Sequence, residues 1–299
     1  MAATQSPVDS GGIAFIRGAT NRVPPHAFFL VSAVFHYLGP AFAVLLFSNV
    51  DVLGVAWLRI ASAASVFVAW RRPWRLFRTL QPKQRWTLVA LGAVLAAMNA
   101  LFYLAIARLP LGTVGAIEFL GPIALAAAGS RTRRNIAALV LAVVGAYLLT
   151  DVRIAGEPLG VLFAFANCGL FVLYIVLGHT IAQDGGANGI DRLGAAMLVA
   201  LLAITPIGTV GARPAFGNVK LLAAGIGVGI CSSVIPYVCD QLAMARLPRA
   251  TFALLLSLLP ATATMIGLLV LRQLPTSIEI IGVGLVIAGV ALHRSRAPD

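Results

Sequence analysis

"MNALFYLAIARLPLGTVGAIEFLGP" covers residues 98–122, and the reading of the whole chain turns on it. It is apolar on both sides of one Arg-Leu-Pro step at 108–110, and beyond that step its only charge is Glu118. A carboxylate buried in an apolar run needs a partner in any protein core, and needs one more urgently in lipid. What surrounds Glu118 therefore has to be settled first.

Composition answers that. Sixty per cent of the residues are hydrophobic, 11 per cent are charged, and the mean hydropathy is +0.95. Soluble domains carry roughly 25 per cent charged residues. With 22 basic and 10 acidic side chains in 299 residues, the chain cannot cover a water-facing surface, so the apolar surplus faces lipid. Lys, Arg, Asp and Glu are absent from 23–50, 86–107, 158–183, 193–212, 221–239 and 250–271. Such windows match the roughly 20 residues a helix needs to cross the hydrocarbon. The strict alternation of a membrane β-strand is not seen. The first 23 residues are mixed and polar, with Asp9, Arg17 and Arg22, and lack the basic-then-apolar order of a signal peptide.

Pro, Gly and charge clusters divide the chain into ten expected spans: 25–48, 52–70, 86–107, 111–129, 134–150, 158–181, 193–212, 219–244, 250–270 and 276–293. With a cytoplasmic N-terminus, 16 of the 22 Lys and Arg fall in inner segments. Five fall in outer ones (Arg108, Arg153, Arg213, Lys220, Arg272), and Arg59 lies inside a span. That bias places both termini in the cytoplasm. The basic excess is thus topological and does not mark a nucleic-acid binder. The inner loop "RRPWRLFRTLQPKQRW" (71–86) is also suited to anionic lipid.

The Arg-Leu-Pro step recurs. "AIARLP" (105–110) returns as "AMARLP" (243–248), 138 residues later, and Pro122 and Pro260 keep that offset. "IAALVLAVVGAYLL" (136–149) resembles "IIGVGLVIAGVALH" (280–293) at offset 144. Equivalent points are five spans apart, and an odd number reverses direction, so the two copies are expected to be inverted. Inverted repeats with a site at their interface are a transporter signature. The expected fold is therefore an all-α integral membrane protein of ten transmembrane helices in two inverted five-helix repeats. Its expected parts are a cytoplasmic tail (1–24), the first repeat (25–150), the start of the second (151–182, span six), its remainder (183–293) and a short cytoplasmic tail (294–299).

Residues 98–122, with "WLRIASA" (57–63) and "RLP…TFALLLSLLPA" (246–261), resemble bacterial threonine/homoserine and aromatic amino-acid exporters. These belong to the drug/metabolite transporter superfamily, EamA type. The likeness runs from about residue 25 to 293. It implies ten helices in two inverted halves, and export of amino acids or related metabolites across the bacterial inner membrane.

Two spans carry charge. Glu118 lies seven residues past Leu111, about 10 Å into the membrane at 1.5 Å per residue. Arg59 lies eight residues past Asp51, about 12 Å deep by the same rise. Three roles remain open: a structural Arg59–Glu118 pair, contact with a zwitterionic substrate, or proton coupling through Glu118. Pairing favours a charged carboxylate and burial a neutral one, so the first and third compete. Offset 138 maps Glu118 onto Leu256, so the fold's symmetry does not itself require the carboxylate. His36, Tyr37, Asn99, Tyr103, Asn167, Tyr174 and Tyr237 lie at mid-depth and are expected to line a cavity or to bond between helices. Pro40, Pro122, Pro206, Pro236 and Pro260 interrupt spans and are candidate hinges.

Other classes find little support. Cys168, Cys231 and Cys239 lie inside apolar stretches, and His26, His36, His179 and His293 are far apart, so no metal or other cofactor is expected. "GIGVG" (225–229) and "GVGLVIAG" (282–289) lack the strand-to-helix setting of a dinucleotide loop. No catalytic constellation is in view, which argues against a membrane-embedded enzyme. A channel, a multidrug or toxic-cation exporter and a nucleotide-sugar carrier are the alternatives. The expected partners are a small-molecule substrate and the bilayer, with the protein a monomer.

Overall fold

A computed structural model describes residues 23–129, 132–154, 157–183, 189–244, 255 and 258–292. Every regular element among them is helical. In chain order these are α1 (Pro25–Leu46), α2 (Val52–Arg71), α3 (Trp74–Thr79), α4 (Pro82–Ile106), α5 (Leu111–Glu118), α6 (Leu120–Gly129), α7 (Arg133–Ile154), α8 (Pro158–Gln183) and α9 (Gly189–Phe216). There follow α10 (Val219–Gly229), a π-helical turn (Ile230–Val234), α11 (Ile235–Met244), α12 (Leu259–Leu271) and α13 (Ser277–Leu292). Six helical stretches are long and apolar enough to cross a membrane, and Leu111–Leu125, Leu259–Leu271 and Ser277–Leu292 are shorter apolar helices. The chain is an integral membrane protein by that measure.

Two expected helices are broken. The stretch 111–129 divides at Phe119 into α5 and α6, three residues before Pro122. Residues 219–244 carry the π-helical turn just ahead of Pro236. A proline lacks the N–H that the carbonyl four residues back would accept, so the ladder re-forms out of step. By contrast α1 runs unbroken through Pro40 and α9 through Pro206, and Pro260 stands in the first turn of α12. The segment between α2 and α4 holds an extra helix, α3, which sequence reading did not anticipate. Its Leu76 and Phe77 pack on the core while Trp74, Arg75 and Arg78 are exposed. Expectations for the N-terminal tail up to residue 22, for Arg131, for most of the second "AMARLP" copy, for the start of the ninth span and for the tail from His293 lie outside the described residues.

Helix pairing sets the interior. α13 packs on α7, α9 on α2 and α4, and α8 on α4. α11 packs on α1, α12 on α1 and α5, and α10 on α2. Two of these seams are close backbone contacts. A Cβ on Gly54 of α2 would strike the backbone of Gly211 in α9, and a Cβ on Gly145 of α7 would lie 2.6 Å from the Gly282 carbonyl oxygen of α13. Small residues allow such approach where helices meet in lipid. The α2–α9 seam ends in a bidentate pair, with Arg71 Nε and Nη2 donating to Asp191 at 2.7 and 3.1 Å. Trp57 Nε1 donates to Thr205 Oγ1 at 3.0 Å farther along it.

Candidate functional site

Arg59 stands two turns into α2, after a first turn capped by Asp51, which accepts from Leu53 N at 2.9 Å. It is 6% exposed. Its Nε donates to Ser233 Oγ at 3.0 Å and its Nη2 to the Ser232 carbonyl at 3.2 Å. The second bond follows from sequence: Pro236 has no N–H to offer Ser232 four residues back, and the guanidinium takes that place. Arg59 also lies over the Tyr103 ring, 5.4 Å from its centroid, a cation–π contact.

Glu118 is the last residue of α5 and 7% exposed. The far end of α5 is tied to the α12–α13 connection, where Gln273 Oε1 accepts from Leu111 N at 3.0 Å. At the near end the turn at Phe119 leaves the carboxylate facing α8, and Glu118 Oε1 accepts from Asn167 Nδ2 at 3.2 Å. Tyr37 of α1 reaches the same face. Its hydroxyl lies over Gly115, one turn before Glu118, where an added Cβ would be 3.1 Å away. Glycine at 115 makes room for that hydroxyl.

The direct Arg59–Glu118 pair, one of the three roles left open by the sequence, is not formed. Among the described residues the one ion pair within 4.0 Å is Arg71–Asp191. Arg59 and Glu118 act on each other electrostatically across the interior, yet each is held by neutral groups: serine and a ring face on one side, an amide on the other. Four buried side-chain atoms around them make no hydrogen bond: Tyr37 Oη, Tyr103 Oη, Asn167 Oδ1 and Ser232 Oγ. Each such atom costs about 1–3 kcal/mol of lost solvation. Tyr37, Tyr103 and Asn167 are fully buried, so the cluster is packed shut. A cavity bounded by Gly112, Thr113, Thr264, Gln273 and Glu279 lies apart from it, between the ends of α5, α12 and α13.

The other sequence candidates divide. His36 sets its ring edge-on against Tyr37, with centroids 5.1 Å apart, and Tyr237 stands beside Arg59. Tyr174 stacks on Phe171 at 6.2 Å and faces Tyr237 and Asp240. Asn99 turns back on its own helix, donating Nδ2 to the Leu95 carbonyl at 2.7 Å, and joins no interhelical bond. Sequence reading missed Ser232 and Ser233, and also Ser32, whose Oγ donates to the Pro236 carbonyl at 3.2 Å. "CSSVIP" (231–236) held the signal, because a proline four residues after a serine frees that serine's carbonyl.

Residues 158–294 match the EamA-like transporter family. The threonine/homoserine exporter RhtA of Salmonella typhimurium (strain SL1344) is 32% identical over 294 residues, covering 94% of this chain and 97% of that one. RhtA of Escherichia coli (strain K12) is 32% identical over 280 residues, covering 91% and 92%. A solved chain described as "Crystal structure of protein" superposes with a TM-score of 0.54 at 17% identity, over 89% of this chain and 97% of its own, a likeness of fold alone. The chain therefore belongs to the EamA-like transporters of the drug/metabolite transporter superfamily and is a relative of RhtA.

Proposed function

We propose that this protein exports threonine, homoserine or closely similar amino acids from the cytoplasm across the bacterial inner membrane. The observation that carries the reading is the buried polar cluster. It draws on α1, α2, α4 and α5 from the first half of the chain, and on α8, the π-helical turn and α11 from the second. An apolar bundle has no structural need for an arginine, a glutamate and several unbonded hydroxyls at its centre, and intramembrane charge of this kind marks a transport path. The likeness to RhtA supplies the substrate class.

The pairing of helices supports two inverted five-helix halves, and the bias of Lys and Arg supports both termini in the cytoplasm. If α1 corresponds to α8, α2 to α9, α4 to α10–α11, α5–α6 to α12 and α7 to α13, the packing pattern maps onto itself. The α4–α8 contact matches α11–α1, α4–α9 matches α10–α2, and α5–α8 matches α12–α1. Alternating access would then open the closed cluster to one side at a time. Arg59 disfavours a simple cationic drug as cargo, since it places a fixed positive charge at the centre.

Counterflow in proteoliposomes tests the reading. Vesicles preloaded with unlabelled threonine or homoserine should transiently accumulate labelled threonine above its equilibrium level. Passive equilibration without an overshoot would indicate a channel, and chemical change of the label an enzyme.

A further inference from the structure

The four unbonded atoms fall into two sets, and each set surrounds one charge. Tyr37 Oη and Asn167 Oδ1 belong to Glu118: Asn167 already donates its amide to that carboxylate, and Tyr37 Oη lies over Gly115, one turn away on the same helix. Tyr103 Oη and Ser232 Oγ belong to Arg59. The guanidinium lies over the Tyr103 ring and donates to the Ser232 carbonyl; the Tyr103 and Ser232 hydroxyls are neighbours, and neither meets hydrogen-bond geometry. The chemistry of the sets differs. Around Glu118 stand two groups that can only accept, the carboxylate and an amide oxygen, and a phenol whose oxygen accepts as well as donates. Around Arg59 stand donors: a guanidinium with five N–H groups, two of them used on serines, and two hydroxyls.

We propose that the cluster is a two-pole receptor for a free α-amino acid. Glu118, Asn167 Oδ1 and Tyr37 Oη take its ammonium, and Arg59, Tyr103 Oη and Ser232 Oγ take its carboxylate. An ammonium carries three N–H donors and a carboxylate accepts only, so each pole supplies what one end of the zwitterion needs. The separation of Arg59 from Glu118 acquires a reason. Opposite charges in direct contact would satisfy each other, whereas these two are each held by neutral groups and keep bonding capacity that a molecule carrying both signs takes up once the closed cluster opens. This assignment rests on the exporter reading above and narrows it: both ends of the cargo must be free.

Competition in the same counterflow assay, with labelled threonine as the probe, decides the matter. Unlabelled threonine and homoserine should compete well. N-acetylthreonine, which lacks the ammonium, and threoninamide, which lacks the carboxylate, should each need at least about tenfold higher concentration, the span expected for losing a hydrogen-bonded charge. Tyr37→Phe should narrow the discrimination against the N-acetyl compound and leave that against the amide. Tyr103→Phe should do the reverse. Either capped compound competing within about threefold of threonine would overturn the poles while leaving the exporter reading intact. Absence of threonine and homoserine counterflow by the wild-type chain would overturn both. Unchanged discrimination in both tyrosine variants would reject the assignment of these hydroxyls.

Discussion

Tyr37 and Tyr103 each bury a hydroxyl that makes no hydrogen bond, which makes stability and transport separable at these positions. Removing a buried group that already lacks a partner costs the fold nothing in hydrogen bonds and spares its desolvation. Tyr37→Phe should therefore leave the melting temperature in detergent unchanged or slightly higher, while raising the half-saturation concentration for threonine. A fall in melting temperature matching the fall in transport would make the hydroxyl structural. Glu118→Gln keeps the shape but offers Asn167 a neutral acceptor. It should reduce transport far more than expression, and if Glu118 carries protons, a pH gradient should drive uptake against concentration in the wild type and fail to do so in the variant. Arg59 and Glu118 were legible in the sequence because a charge in an apolar window stands out. Their separation was not. Rise per residue gives depth along a helix, but whether two side chains meet depends on rotation about the axis and on which helices are neighbours. Ser232 escaped notice for another reason: serine is an ordinary residue in membrane helices, and only the proline after it sets it apart.

At the scale of the helix, five candidate prolines behave in different ways. α1 and α9 absorb Pro40 and Pro206 without interruption, whereas Phe119 and the π-helical turn mark breaks next to Pro122 and Pro236. The positions were readable and the outcomes were not, because a proline only removes one donor and one shape; its neighbours decide what replaces them. For Pro236 the replacement is Arg59 Nη2 on the Ser232 carbonyl. Pro236→Ala restores a backbone donor, so the helix can regularise and compete with Arg59 for that carbonyl. The expected outcome is a protein at least as stable whose maximal transport rate falls. An unaltered rate would mean that the turn has no part in the cycle. The α2–α9 seam behaves in the opposite manner. Gly54 leaves no room for a Cβ against Gly211, and Gly54→Leu should destabilise by about 1–3 kcal/mol or more, the usual scale of overpacking. A thermal melt of the detergent-solubilised variant measures it. The glycines themselves were visible in the sequence, but their pairing across 157 residues of chain is a property of the packed bundle.

For the molecule as a whole, charge distribution and fold make one joint demand. The segment between α2 and α4 holds Arg72, Arg75 and Arg78, and the first turn of α4 holds Lys83, all exposed; Arg71 beside them is bound to Asp191 at the start of α9. Two regions distant in sequence, 72–81 and the start of α9, must therefore lie on the same side of the membrane. The turn between α9 and α10, where Asn218 caps α10 by accepting from Lys220 N at 3.0 Å, lies at the other end of α9. On the orientation proposed above, in which basic residues gather on the inner side, the first side is the cytoplasmic one. A single cysteine at Arg75 should then be silent to an impermeant thiol reagent in intact cells and react in inverted vesicles, while one at Asn218 should do the opposite. Cys168, Cys231 and Cys239 lie within helices that cross the membrane, so they contribute little background. Labelling at both positions from one side would break the α9 crossing and with it the inverted halves. Labelling of Arg75→Cys from outside alone would keep the fold and turn the protein over, placing the basic segment before α4 on the outer side against the charge bias.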